Sequence, residues 1–357
     1  MAVTLAAVAQ RAGVSPATVS RVLNGDYPVA VETRKRVERA VRELDYVVNA
    51  HARALLHATS GIVGAILNDL SDPFFALVFR GIQNASGDMS RLVVTCNTNG
   101  NPDREFTYIE MLRRQRADAV IIVGAGPEDA GYRRQLAAQA RGLRAQNSRL
   151  VLCGRPKPIR DAPANVVTFD NVGTGRTLVE HLVGLGHRRI AYLGGPVGRT
   201  TSNDRYRGFV EGLDAAGLPV DEQLVADGDF TRDGGYAAAT RLIESGADFT
   251  AIIGGNDQMA IGVLVALRDA GLSVPGDVSV VGFGDIPIAA DMIPALTTVH
   301  LPLEEAGRQA LSLAFAPQGP TKTVTLPHTL VVRDSSGPVR KQAPRRGSGS
   351  PRTRKHR

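Results

Sequence analysis

From Gly61 to about residue 315 the chain repeats one texture. Short, nearly continuous runs of β-branched and aliphatic residues alternate with stretches of helical spacing. The runs fall at 62–67, 92–96, 119–123, 150–153, 166–169, 190–193, 224–226, 251–253 and 278–281. A strand that is apolar on both faces must be covered on both, so this alternation predicts parallel sheets flanked by helices, an α/β fold. Nine such strands exceed one comfortable doubly wound sheet, and two lobes are predicted, with the break between Pro156 and Pro163. After Pro317 two short extended pieces, 324–326 and 330–333, have no helix behind them. From Ser335 on, Gly, Ser, Pro and Arg dominate, and disorder is expected.

The ends of the chain carry its charge. The net charge is +7, of which residues 1–58 supply +3 and residues 338–357 supply +8, leaving a mildly acidic middle. A basic head and tail suit polyanion contacts. No apolar stretch reaches the roughly 18 to 20 residues of a spanning helix, and Gln10 and Arg11 interrupt the opening where a signal peptide would stay apolar. A cytoplasmic protein with no membrane contact is expected. The two cysteines, Cys96 and Cys153, each sit in an apolar run without metal-ligand spacing and read as buried thiols.

The first 45 or so residues read as three short helices, with apolar faces at Leu5, Val8 and Ala9, at Val19, Val22 and Leu23, and at Val37, Val41 and Leu44. Thr4 is placed to cap the first, and Ser15 followed by Pro16 to start the second. The third, near Ala30-Val31-Glu32, has no capping side chain. The run VTLAAVAQRAGVSPATVSRVLNG, residues 3–25, therefore predicts helix, tight turn at Gly13, helix. In a helix-turn-helix the second helix enters the major groove, which sets Pro16, Ala17, Thr18 and Arg21 near base edges. Arg21 has the fork that pairs with guanine, while Ser15, Ser20 and Asn24 suit phosphates. A three-helix protein-interaction module with the same spacing is the alternative.

This stretch resembles the N-terminus of the lactose-repressor (LacI/GalR) family of bacterial transcription regulators. The resemblance continues through TRKRVERAVRELDYVVN (33–49), EHLVGLGHRRIAYLGGP (180–196), DRYRGF (204–209), GGNDQMAIGVL (254–264), DVSVVGFGDIP (277–287) and PALTTVHLP (294–302), in the family's order. It implies a helix-turn-helix headpiece at 1–46, a hinge at 47–59, a two-lobed core at 60–334 similar to periplasmic binding proteins, and a basic disordered tail at 335–357. It further implies a dimeric repressor on a palindromic double-stranded operator, controlled by a small effector in the cleft of the core. Thr4 joins the DNA-contacting set. In the hinge the resemblance assigns Ala52, Arg53 and Leu55 to DNA, with Leu55 as a minor-groove wedge.

For the effector the resemblance points to Phe74, Arg155, Arg205, Phe230, Asn256 and Asp285. Rings plus a few fixed polar groups fit a small polar ligand, and a planar guanidinium suits hydroxyls or carboxylates. Departures stand beside the matches. Gly284 occupies the place where the family commonly has an aspartate, Leu301 stands where a glutamine is usual, and Gly154 precedes Arg155 where an aspartate is common. These losses argue against a typical hexose or pentose polyol and favour an effector that is less hydroxyl-rich or anionic, with Arg205 and Arg155 or His300 supplying charge; the effector class expected is a sugar or an anionic metabolite. His187 reads as structural. Gly124-Ala125-Gly126 lacks the third glycine of a dinucleotide loop, and no nucleophile, metal or paired-carboxylate motif occurs. An enzyme is thus not expected, nor a cofactor. A solute-binding protein of the same two-lobed fold would explain the core but not residues 1–58.

Overall fold

The computed structural model describes residues 3–24, 28–46, 60–317 and 319–339. Three helices open the chain: α1 (Leu5–Ala12), α2 (Pro16–Asn24) and α3 (Val31–Glu43). Thr4 Oγ1 accepts from the Ala7 amide at 3.3 Å, and Ser15 Oγ accepts from the Thr18 amide at 3.1 Å, so both expected caps form. Gly13, at φ +64°, makes the left-handed turn between α1 and α2 that a side chain would strain. α3 starts at Ala30 without a side-chain cap. Val8, Val19 and Val37 are wholly buried against one another, with Leu5, Leu23, Val41 and Leu44 packed around them.

The core holds two six-stranded sheets. In sequence order the strands are β1 (Ile62–Leu67), β2 (Leu92–Asn97), β3 (Ala119–Val123), β4 (Arg149–Cys153), β5 (Ala164–Phe169), β6 (Ile190–Leu193), β7 (Val225–Ala226), β8 (Ala251–Gly254), β9 (Ser279–Gly284), β10 (Thr297–His300), β11 (Thr323–Leu326) and β12 (Thr329–Val331). The first sheet runs β11-β5-β4-β3-β1-β2, all parallel, and the second β12-β10-β9-β8-β6-β7, parallel except for β12. Between them run α4 (Pro73–Asp88), α5 (Pro102–Arg114), α6 (Ala130–Ala145), α7 (Asn171–Gly184), α8 (Thr200–Ala215), α9 (Arg232–Glu244), α10 (Asp257–Asp269), α11 (Ile288–Asp291) and α12 (Leu303–Phe315).

Three expectations are corrected. The lobes do not part between Pro156 and Pro163: β5 pairs in register with β4, so that proline-rich segment is a loop inside the first lobe, and the chain first crosses after Phe169. It crosses back after β10. α12 packs on α4, where a Cβ on Gly81 would lie 2.0 Å from the Glu304 carbonyl oxygen and one on Gly307 2.0 Å from that of Val78. Second, 297–300, not anticipated as a strand, is β10, a threonine-rich segment buried between β9 and β12.

Third, disorder does not begin at Ser335. Ser335 is fully buried: its Oγ accepts from the Thr297 amide at 2.8 Å and donates to the Val280 carbonyl at 2.6 Å. Its own amide and carbonyl bond Ala295 and Val280. His187, also buried, bonds the Gly337 carbonyl through Nε2 at 3.0 Å and Thr250 Oγ1 through Nδ1 at 2.9 Å, the structural role expected of it. Residues 335–339 are thus a strap that satisfies backbone groups the second sheet leaves open; 340–357 lie outside the described residues. Cys153 is buried and Cys96 half-buried, and burial pushes the Cys153 thiol up to about 12. Replacing Ser335 by alanine should cost about 1–3 kcal/mol by leaving the Thr297 amide unpaired, read as a lower midpoint in chemical unfolding; an unchanged midpoint would mean the strap is not part of the folded unit.

Candidate functional site

Two places in the molecule carry function-bearing side chains. On the headpiece, α2 buries Val19 and Val22 and turns Pro16, Ala17 and Arg21 outward, with Thr18 and Ser20 half-buried between the two faces. Thr4 and Ser15 are exposed at the starts of α1 and α2, where free amides point outward. Ser15 and Thr18 share a hydroxyl contact of 2.9 Å, so both take part in the cap. Arg11 reaches across to Glu43 at 2.6 Å and ties α1 to α3. Asn24 ends α2; Ala52, Arg53 and Leu55 lie outside the described residues.

In the core, a cavity of about 570 Å³ lies between the carboxyl ends of the two sheets. Its walls are the loops after β1 to β4 and after β6 to β9, the place where parallel strands splay and leave helix N-termini open. Phe74, Phe75 and Phe169 line it from the first lobe, Phe230 and Phe283 from the second. On the side away from the chain crossings a short ladder joins the lobes. Pro127 and Arg199 form a bridge, the Thr200 amide bonds the Gly126 carbonyl at 3.0 Å, and Asn203 Nδ2 donates to Glu128 at 2.6 Å.

Five of the six residues expected at the effector site line this cavity, in distinct roles. Arg205 is buried. Its Nε donates to Asn171 at 3.2 Å and Nη1 to the Gly255 carbonyl at 2.5 Å, with the guanidinium 4.6 Å from the Phe283 ring centre. Desolvation lowers its pKa to about 10. Arg155 is as deeply buried but closed on itself: it pairs with Glu105 at 3.1 Å and donates to Tyr132 and the Gly124 carbonyl. Asn256 caps α10 through Oδ1 and with Nδ2 holds the carbonyl of Phe230 at 2.9 Å, fixing that ring on a backbone at φ +67°. Phe74 stands edge-on to Phe75.

Asp285 does not join them. The chain turns at Gly284 (φ +134°) and Asp285 (φ +56°), which sends the carboxylate to Arg333 at 2.6 Å and His300 at 2.9 Å, away from the cavity. His300 is consequently spent there too. Two buried carboxylates do line the cavity, Glu105, which is spent on Arg155, and Asp257, not anticipated from the sequence. Oδ1 accepts from Thr298 and Oδ2 from the Ile286 amide, and a Cβ at Gly284 would come within 3.2 Å of it. Burial, against the pull of those two donors, pushes Asp257 up to about 6. Arg199, which reaches the Gly100 carbonyl at 2.9 Å, was also missed. The Asn-Asp pair directly after an apolar strand was the available signal for Asp257.

Residues 4–49 match the family described as bacterial regulatory proteins, lacI family, and residues 179–336 match the periplasmic binding protein-like domain. The chain is 34% identical to the HTH-type transcriptional regulator GalR of Escherichia coli (strain K12), covering 93% of this chain and 95% of that one. The chain belongs to the lacI family. Another member, the HTH-type transcriptional regulator DegA of Bacillus subtilis (strain 168), is 30% identical over 95% of this chain and 99% of its own. Among solved structures, a lac repressor dimer bound to operator and the anti-inducer ONPF superposes with a TM-score of 0.82 at 29% identity, covering 94% of this chain and 100% of that one. A CelR–cellobiose complex superposes at 0.70 and 31% identity, covering 94% and 100%. The lacI-family chain is thus a DNA-binding regulator of transcription with a ligand-binding type of core. Because the folded state disfavours the charged form of Asp257, its neutral replacement in Asp257→Asn should gain stability relative to the parent as pH rises through 6. Paired thermal melts on either side of pH 6 check this, and a constant gap would show that the carboxylate is not desolvated.

Proposed function

We propose that the chain is a homodimeric repressor that reads a palindromic operator through α2 and is controlled by a small effector held between the lobes. The carrying observation is the helix pair itself: α2 is capped at Ser15, locked by Val19 and Val22, and presents Ala17 and Arg21 outward one turn apart. Arg21 then pairs with a guanine, Pro16, Ala17 and Thr18 read groove shape and thymine methyls, and Thr4, Ser15, Ser20 and Asn24 hold phosphates. Ala52, Arg53 and Leu55 extend the contact into the minor groove from a hinge at 47–59, between a headpiece at 1–46 and the core. One headpiece reads only a few base pairs, and a two-fold partner supplies the second half-site. Exposed apolar side chains on both lobes, Leu92 and Met111 on the first and Ile293 and Val332 on the second, offer the surface for it.

In the cavity, Phe74 and Phe230 grip the flat face of the ligand, Arg205 its polar end, and Asn256 and Arg155 hold the walls in place. Binding there rather than catalysis is the work of the core, and the ladder at Gly126–Thr200 is where ligand and lobe geometry meet. The solved relatives support both halves, one on its operator and one holding cellobiose. Genomic fragments retained at about 150 mM salt, where weak contacts are screened, should yield a short palindrome. Arg21→Ala should weaken that retention about tenfold or more while leaving effector heats in calorimetry unchanged. Deleting residues 1–58 should abolish it with the same calorimetric result. A headless chain that still retained the palindrome would defeat the reading.

A further inference from the structure

Of the four arginines that line the cavity two are buried to nearly the same degree, Arg155 at 5% exposure and Arg205 at 4%, in opposite electrostatic states. Arg155 has a carboxylate at 3.1 Å, and its charge is cancelled inside the first lobe. Arg205 has none within 4.0 Å among the described residues; the groups bonded to it are a neutral amide oxygen and a backbone carbonyl. Asp257 and Asp72 act on it only across a longer gap, and both oxygens of Asp257 are already engaged with Thr298 and Ile286. A desolvated cation without a counter-charge is costly, and its lowered pKa reports that cost.

The outer wall is mixed in charge: Arg199, bonded to the Gly100 carbonyl, and Arg232, paired with Asp233, line it beside three carboxylates. Asp69, Asp72 and Asp229 line the cavity in half-buried or exposed positions, and each spends Oδ1 on a local turn: Asp69 on Ser71, Asp72 on the Phe74 amide, Asp229 on Thr231. The other oxygen of each is oriented by that bond and available to a donor. The site therefore places one deep cation that lacks a close carboxylate below a mixed rim whose carboxylates accept hydrogen bonds.

We infer that the effector is a polyhydroxylated carboxylate, a sugar acid, whose carboxylate pairs with Arg205 and whose hydroxyls donate to Asp69, Asp72 and Asp229. An anion without hydroxyls would leave Asp69, Asp72 and Asp229 without donors, and a neutral sugar would leave the guanidinium without a counter-charge; a sugar acid answers both. Phe230 and Phe283 flank the guanidinium, at 6.0 and 4.6 Å from it, and exclude the water that would otherwise screen the pair. This inference rests on the effector reading above.

The test is calorimetric titration of the full chain, at matched ionic strength, with glucuronate, galacturonate and gluconate, with the neutral parent hexoses, and with the methyl esters of the uronates. The acid that fits should bind roughly ten- to a hundredfold more tightly than its methyl ester or neutral parent. Arg205→Gln should erase that preference, and Arg205→Lys should keep part of it. The ester comparison uses the unaltered protein and stands even if the Arg205 variants fail to fold. Equal affinity for acid and neutral parent, or no binding by any of the acids at millimolar concentration, overturns the inference. Operator retention measured in parallel separates the two readings. A neutral sugar that shifts retention leaves the repressor reading and removes the acid, whereas an acid that binds while no palindrome is retained supports the ligand class and removes the palindrome-reading repressor.

Discussion

Two parallel sheets set with their carboxyl ends across a common gap impose the geometry on which everything else here depends. All strands but β12 run the same way within their sheets, so each helix of the layer begins at the gap and each loop that precedes it must line the gap. That arrangement supplies open backbone donors, and it gathers residues far apart in sequence, from Ile66 to Ile286, onto one surface. Besides the chain crossings, the Pro127–Arg199 bridge joins the two lobes across the gap. A ligand that changes the width acts on both lobes at once, and the first lobe is the one joined through residues 47–59 to the headpiece.

Most of the fold was legible because the central strands of a doubly covered sheet must be apolar, and β1, β3, β4, β6 and β8 show it in their sequences. The exception is instructive. β10 reads Thr-Thr-Val-His, and its threonines are buried because Asp257, Arg333 and the strap supply partners for their hydroxyls. Only the assembled lobe reveals that. The lobe boundary was misplaced for a related reason: Pro156 to Pro163 marks a bend in the backbone, but lobe membership is decided by hydrogen bonding between β4 and β5, which no local composition reports.

The headpiece was read nearly in full, since its caps, its glycine turn and its buried valines are all local features. The cavity was read in part. Rings and arginines were found, but which charges remain open depends on distant partners: Glu105 closes Arg155, Arg333 and His300 claim Asp285, and Asp257 takes the inner position instead. Two consecutive positive φ angles, at Gly284 and Asp285, turn the Asp285 carboxylate away from the cavity. Backbone sign at such positions is invisible to motif reading and decisive for the site.

The first lobe receives its last helix and its outermost strand, α12 and β11, only after the second lobe has been almost completely specified, and the second lobe is finished in turn by β12 and the buried Ser335. During synthesis from the N-terminus the three-helix headpiece emerges with its own core complete, while β5 waits as an unpaired edge for β11 through more than a hundred further residues. A nascent chain can thus possess its DNA-reading surface well before it possesses anything able to govern it. Neither lobe is a continuous segment of the chain, so a cut after β10 leaves the first without α12 and β11 and the second without β12.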